Sequence, residues 1–166
     1  VMSTSLEDIV RVALIGIGAT ATLDLWLLFL GRLGVRTLDF AMIGRWVGHW
    51  PRGVFAHHAI GKAAPVNGEL ALGWATHYAT GLGFAALLIA VVGTDWLRSP
   101  TLLPALAVGV ATVAAPWLLM QPAMGAGIAA SRTPSPAKNR VRSLVNHAVF
   151  GLGLYLAALL LAWISR

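Results

Sequence analysis

The chain has no cysteine and little charge. Charged side chains make up 11% of its 166 residues, and Asp and Glu together number only six. Without cysteine, disulfides, thiolate nucleophiles and Cys-ligated zinc or iron–sulfur sites are excluded. Soluble domains carry about 25% charged residues, because their surfaces must be hydrated. The composition therefore excludes an ordinary water-soluble globule, and neither a Ser/His/Asp triad nor an HExxH motif points to hydrolytic chemistry.

Apolar residues dominate what is present. They make up 58% of the chain, and the mean hydropathy is +0.77. A helix needs about 20 apolar residues to cross a hydrocarbon core of roughly 30 Å. Four segments meet this requirement, at residues 9–30, 70–92, 102–124 and 144–165. The sequence predicts an all-α fold, a four-helix integral membrane bundle that forms one domain over residues 1–166, with no room for a separate soluble domain.

The two long connections differ from the spans. Loop 1, residues 31–69, mixes basic residues with Trp46, Trp50 and other aromatic residues. It predicts an amphipathic segment in the headgroup layer, with aromatic rings toward the membrane and guanidinium groups outward. Its histidines His49, His57 and His58 are expected to be solvated. Loop 3, residues 131–143, is rich in proline and charge and is expected to be extended.

Basic residues are distributed unevenly between the two sides of the predicted bundle. Loop 1 holds five Lys and Arg and loop 3 holds four, whereas the opposite side holds Arg11, Arg98 and Arg166. The positive-inside rule places loops 1 and 3 in the cytoplasm and both termini outside. The net charge of +6 then indicates a face held near anionic lipid headgroups rather than a nucleic-acid surface. The candidate headgroup-binding residues are Arg132, Lys138, Arg140 and Arg142.

The second and fourth spans share a motif. His77 precedes Gly81-Leu82-Gly83 by four residues, and His147 precedes Gly151-Leu152-Gly153 by the same interval. Histidine is rare in membrane spans, so the coincidence favours a duplicated helical hairpin. The glycines would allow close helix approach on the face that carries each histidine.

Polar side chains of the four spans are predicted to share one layer in the cytoplasmic third. The 1.5 Å helical rise places Asp24 about 9 Å, His77 about 10 Å and His147 about 5 Å from the cytoplasmic ends of their helices. Gln121 and Asn146 fall in the same layer. Intramembrane ionisable groups usually face the bundle interior, so these residues form the candidate ligand or proton site.

Three interpretations of this layer remain open. In the first, Asp24 and the two histidines are hydrogen-bonded struts that stabilise the bundle. In the second, Asp24, His77 and His147 hold a divalent metal ion, or pass a proton between carboxylate and imidazole. In the third, His77 and His147 ligate haem.

The functional hypotheses follow from these interpretations. The leading hypothesis is a small transport or ligand-binding membrane protein. The alternative is a structural or accessory subunit of a larger membrane complex, and a third hypothesis is a membrane enzyme that acts on lipid. No enzyme class is indicated. Four short helices enclose little volume, so a transport path would need a homodimer or a larger assembly.

Several runs along the chain resemble one family. They are Asp24-Leu25-Trp26, the stretch from Gly44 to His49, Gly73-Trp74 with His77-Tyr78, Pro100 to Pro104, Gln121-Pro122, Ala129 to Pro134, and His147 with Phe150-Gly151. In this order they resemble the domain of unknown function 2938 family of bacterial membrane proteins. The resemblance implies a multi-span protein of a bacterial inner membrane, and it brings no catalytic residues with it.

Overall fold

The computed structural model describes residues 6–165, so Arg166 lies outside the described residues. Within residues 6–165 the chain is helical and contains no strand, which confirms the predicted all-α class. The five helices are α1 (Leu6–Arg32), α2 (Phe40–Gly48), α3 (Glu69–Val92), α4 (Leu102–Ala123) and α5 (Pro136–Ile164).

Four of these helices, α1, α3, α4 and α5, are long and apolar enough to cross a membrane. Large apolar side chains cover their outer surfaces, among them Leu25, Leu103 and Leu118. A water-soluble protein does not expose so much contiguous apolar surface, whereas lipid tolerates it. The four predicted spans are therefore confirmed as helices.

The bundle is organised around α1. This helix packs between α3 and α5, and α4 packs along α5, whereas α3 and α4 contact each other much less extensively. The buried core joins the two hairpins through Ile15, Ala19, Leu23, Leu27, Ala85, Leu88, Ala105, Phe150, Leu154 and Ala158.

Glycine sets the distance between the helices of each hairpin. In the first, a Cβ on Gly81 of α3 would collide with Thr20 of α1, and a Cβ on Gly16 of α1 would lie 2.9 Å from Leu82 Cα. In the second, Gly109 of α4 lies directly against Gly151 of α5. The glycine four residues after each histidine therefore occupies a close crossing, as the shared motif predicts.

The short helix α2 is bound to α3 rather than lying free at the surface. Asp39 caps its N-terminus by accepting the Ala41 N–H at 3.0 Å. Arg45 then donates two hydrogen bonds to the Glu69 carboxylate, Nε–Oε2 at 2.8 Å and Nη2–Oε1 at 2.7 Å. The predicted outward direction of the guanidinium groups is therefore wrong for Arg45, because the only acidic side chain at the start of α3 pairs with it.

The rest of loop 1 covers the end of α4. The His57 backbone N–H donates to the Ala123 carbonyl at 2.7 Å, and the Ile60 backbone N–H donates to the Met124 carbonyl at 3.1 Å. His49 is buried, with Nδ1 bonded to the Arg45 carbonyl at 2.9 Å, and its ring centroid lies 4.9 Å from that of His57. The prediction of solvated histidines is wrong for His49 and for the half-buried His57, and right for the exposed His58.

Loop 3 is shorter than predicted. α5 begins at Pro136, about two turns before residue 144, so Lys138, Arg140 and Arg142 lie on a helix and not on an extended loop. Proline favours the first helical position, since its missing N–H is not needed there. The earlier start also places His147 about 17 Å from the beginning of α5 instead of about 5 Å.

α4 changes its helical winding at Pro116. Proline has no N–H to donate to the Thr112 carbonyl, and the Ala115 N–H bonds there instead at 3.0 Å. A π-helical turn follows over Pro116–Met120, closed by the Gln121 N–H on the Pro116 carbonyl. Such wider turns are rare and occur often at functional sites.

Gly73→Ala is expected to destabilise the protein, because the added Cβ would collide with the Phe40 backbone on α2. Overpacking of this kind costs about 1–3 kcal/mol. The matched control is Gly83→Ala on the same helix, where a Cβ meets nothing within 4 Å. Thermal unfolding of purified protein in detergent should show a lower Tm for Gly73→Ala only. An unchanged Tm would contradict the close α2–α3 contact.

Acid is expected to destabilise the covering segment of loop 1. Burial, with the charge of His49, lowers the pKa of His57 below its ordinary value of 6.5. The unfolded chain therefore binds the proton more readily, and stability that is complete above pH 6.5 should decrease as the pH falls below it. In thermal unfolding between pH 8 and pH 5, His57→Phe should flatten the dependence of Tm on pH, whereas His58→Phe should not. Equal pH dependence in both variants would contradict this assignment.

Candidate functional site

The Asp24 carboxylate of α1 is bound by two consecutive residues of α3. Its Oδ1 lies 2.8 Å from His77 Nε2, and its Oδ2 accepts the Tyr78 hydroxyl at 2.9 Å. Both the carboxylate and the imidazole are largely buried, at 19% and 12% side-chain exposure. Each carboxylate oxygen thus has a partner, as a buried carboxylate in an apolar surrounding requires. The bond to Nε2 leaves Nδ1 as the ring nitrogen of His77 that is available to a ligand.

His147 is bonded within the second hairpin in a similar way. Its Nδ1 lies 2.9 Å from Thr112 Oγ1, and that hydroxyl donates to the Gly109 carbonyl at 2.6 Å. A hydroxyl has one proton, so the Thr112 oxygen accepts from the Nδ1–H of His147. Nε2 of the neutral imidazole is then an unprotonated acceptor.

Both histidines line one cavity of about 310 Å³ inside the bundle. The wall residues come from all four long helices, and α2 with its flanks forms a roof through Leu38, Ile43, Trp46 and Trp50. Most of the lining is apolar and aromatic, with a few polar groups among it. Ligand pockets have this size and character. The polar lining residues are Thr20, Thr76, His77, Thr80, Gln121, Ser143, Asn146 and His147.

The widened turn of α4 forms one wall of the cavity. Pro116, Leu119 and Met120 line it, and Gln121 follows directly. Gln121 Oε1 is buried and has no hydrogen-bond partner among the described residues. Asn146 also lines the cavity, and its Oδ1 accepts the Trp26 indole N–H at 3.1 Å. A buried acceptor without a partner is costly, so Gln121 indicates a position where a ligand donor would be stabilised.

The structure brings four of the five predicted ligand or proton residues to this cavity. His77, His147, Gln121 and Asn146 line it, and Asp24 lies behind His77. The predicted metal site of Asp24, His77 and His147 does not form: residues 6–165 contain no group of three His, Cys, Asp or Glu side chains that could hold a metal ion. The physical reason is that each histidine is bonded in its own hairpin. Haem ligation by the two histidines stays a prediction.

Sequence reasoning missed two hydrogen-bond partners, Tyr78 for Asp24 and Thr112 for His147. Tyr78 follows His77 directly, but the helical spacing alone did not show that both reach the same carboxylate. Thr112 stabilises His147 from a helix that carries no ionisable residue in the described structure. The sequence predicts the aromatic rings of loop 1 toward the membrane, whereas Trp46 and Trp50 line the cavity in the structure. Pro116 was the one local signal for the widened turn of α4.

The candidate headgroup-binding residues lie at the loop 3 end of the bundle. Arg132, Lys138 and Arg140 are exposed, and Arg142 is half-buried. Arg140 donates from Nε to the Ala129 carbonyl at 2.9 Å, which fixes part of this surface. Headgroup binding by the four residues remains a prediction.

Comparison with known proteins identifies one family. No curated protein and no solved structure matches the chain. A family model described as "Protein of unknown function (DUF2938)" matches residues 13–161, which include all four long helices in large part and every residue of the cavity. The chain therefore belongs to the DUF2938 family.

Proposed function

We propose that this chain is a multi-span protein of a bacterial inner membrane that binds a small, mostly apolar molecule inside its helical bundle. The observation that carries the proposal is the cavity of about 310 Å³, lined by two histidines that separate bonds to Asp24 and Thr112 hold in place. A pocket with an apolar wall and a few fixed polar groups is the usual form of a small-molecule site.

The position of the site supports access from the membrane or from the cytoplasmic surface. Nine of the twelve Lys and Arg residues lie in loops 1 and 3, which favours the cytoplasm for this end of the bundle and the outside for both termini. The roof of the cavity belongs to loop 1. A ligand bound there would lie close to the anionic headgroups that the basic residues favour.

The Asp24–His77 pair gives the site a proton-transfer group. A carboxylate that accepts from one ring nitrogen orients the imidazole and stabilises it when it takes up a proton at the other nitrogen. His77 can therefore exchange a proton with a bound molecule while Asp24 balances the charge. This arrangement suits ligand binding or transport that is coupled to a proton.

Filling the cavity is expected to abolish binding. Ala115 lines the cavity, whereas the neighbouring Ala114 is exposed on the outer surface of α4. With 2-naphthol as a small apolar probe, isothermal titration of protein in lipid nanodiscs should show binding to the wild type and to Ala114→Phe. Ala115→Phe should bind at least about tenfold more weakly, because the phenyl ring occupies the cavity. Titration of empty nanodiscs corrects for partition into lipid. Equal affinity of the two variants, or no binding to the wild type, would contradict the proposal.

His77→Phe and Tyr78→Phe separate a binding site from a structural strut. Each variant removes one of the two partners of Asp24, so both should lower the Tm by a similar amount. Of these two residues, His77 lines the cavity and Tyr78 does not. His77→Phe should therefore weaken 2-naphthol binding several-fold, because it changes the size and polarity of a lining position, and Tyr78→Phe should leave it unchanged. Unchanged binding in both variants would favour the accessory-subunit alternative, in which these residues only stabilise the bundle.

A further inference from the structure

The polar groups of the cavity are mostly hydrogen-bond acceptors. The hydroxyls of Thr20, Thr76 and Thr80 each donate their proton to a backbone carbonyl of their own helix at 2.8 Å, so only their oxygens are left for a ligand. Back-bonding of this kind is common for Ser and Thr within helices. The three threonines thus present three acceptors and no hydroxyl donor to the cavity.

His147 adds a stronger acceptor. Thr112 cannot donate to the imidazole while its proton is on the Gly109 carbonyl at 2.6 Å, so His147 Nδ1 carries the proton and Nε2 has a lone pair. Gln121 adds Oε1, which is buried and has no partner among the described residues. The donors in the lining are the amides of Gln121 and Asn146, the Ser143 hydroxyl and the Trp50 indole N–H, whereas the Trp46 N–H is bonded to the Phe55 carbonyl. Acceptors therefore outnumber donors.

A cationic ligand would fit these acceptors less well than a neutral one. The residues that line the cavity include no Asp or Glu, and Asp24 is already bonded to His77 and Tyr78. Transfer of an ammonium group into an apolar site is costly unless an opposite charge pairs with it. A neutral hydroxyl carries a donor without that cost.

From this we infer that the cavity selects a neutral, mostly apolar molecule that carries a hydroxyl group, whose one proton is accepted by either His147 Nε2 or Gln121 Oε1. The inference rests on the proposed binding function and adds the class of ligand. A molecule of the same shape that has only acceptor groups would make no hydrogen bond to either acceptor, and would therefore bind more weakly.

The test compares matched probes on the whole protein in lipid nanodiscs at pH 7. 2-Naphthol has a hydroxyl donor, 2-methoxynaphthalene has the same ring system without the donor, and 2-naphthylmethylammonium carries a charged donor. 2-Naphthol is expected to bind the wild type about fivefold to tenfold more tightly than the methyl ether, the effect of one net hydrogen bond. Equal binding of the two neutral probes would overturn the inference and leave the proposed binding function intact. If the ammonium probe binds more tightly than 2-naphthol, the inference that the ligand is neutral is overturned. If none of the probes binds, both the proposed binding function and the inferred ligand class are overturned.

Variants assign the preference to the two acceptors. The double variant Gln121→Met, His147→Phe should bind 2-naphthol and 2-methoxynaphthalene with about equal affinity. Each single variant should keep part of the preference, so the assignment can still be tested if the double variant does not fold. Leu119→Met changes a lining residue without changing its polarity and should keep the wild-type ratio. A full preference in both single variants and the double variant would overturn the assignment to His147 and Gln121.

Discussion

The hydrogen bonds of the Asp24 carboxylate are the constraint on which the site depends. A carboxylate within a membrane span is costly unless its oxygens have partners, and α3 supplies two from adjacent residues, His77 and Tyr78. These bonds fix the rotation of α3 against α1 and direct His77 Nε2 toward Asp24. The close crossing at Gly81 lies one turn further along α3 and holds the same pair of helices together. Packing and polarity thus select the same arrangement of the first hairpin.

The cavity exists because the two hairpins meet incompletely. Each hairpin is closed by a glycine crossing, and α1 and α5 join the two along the core. On the other side, α3 and α4 have little contact, and the widened turn of α4 at Pro116 forms one wall of the space between them. Helix α2 covers the resulting space and is held by the Arg45–Glu69 ion pair. A short helix that is bonded to a long helix in this way is a fixed part of the cavity and not a free surface element.

The sequence was sufficient for the spans because hydrophobic length depends only on composition along the chain. It was also sufficient to single out His77, His147, Gln121 and Asn146, since polar groups within a span have few positions where they can be satisfied. It was not sufficient to assign the hydrogen-bond and ion-pair partners of the polar side chains. Whether His147 bonds to Asp24 or to Thr112 depends on the rotation of α5 and on where it begins, and the structure begins it at Pro136 instead of near residue 144. Arg45 was misplaced for the same kind of reason, since its partner Glu69 lies 24 residues away.

Each of the two histidines is thus bonded within its own hairpin through one ring nitrogen, and its other nitrogen is left for a ligand in the shared cavity. The ¹⁵N NMR spectrum of histidine-labelled protein in lipid bilayers tests this claim most directly, with His77→Phe and His147→Phe spectra to assign the signals. The account predicts that His147 carries its proton on Nδ1 with a bare Nε2, and that His77 keeps a proton on Nε2 toward Asp24. A proton on Nε2 of His147, or a bare Nε2 on His77, would contradict it.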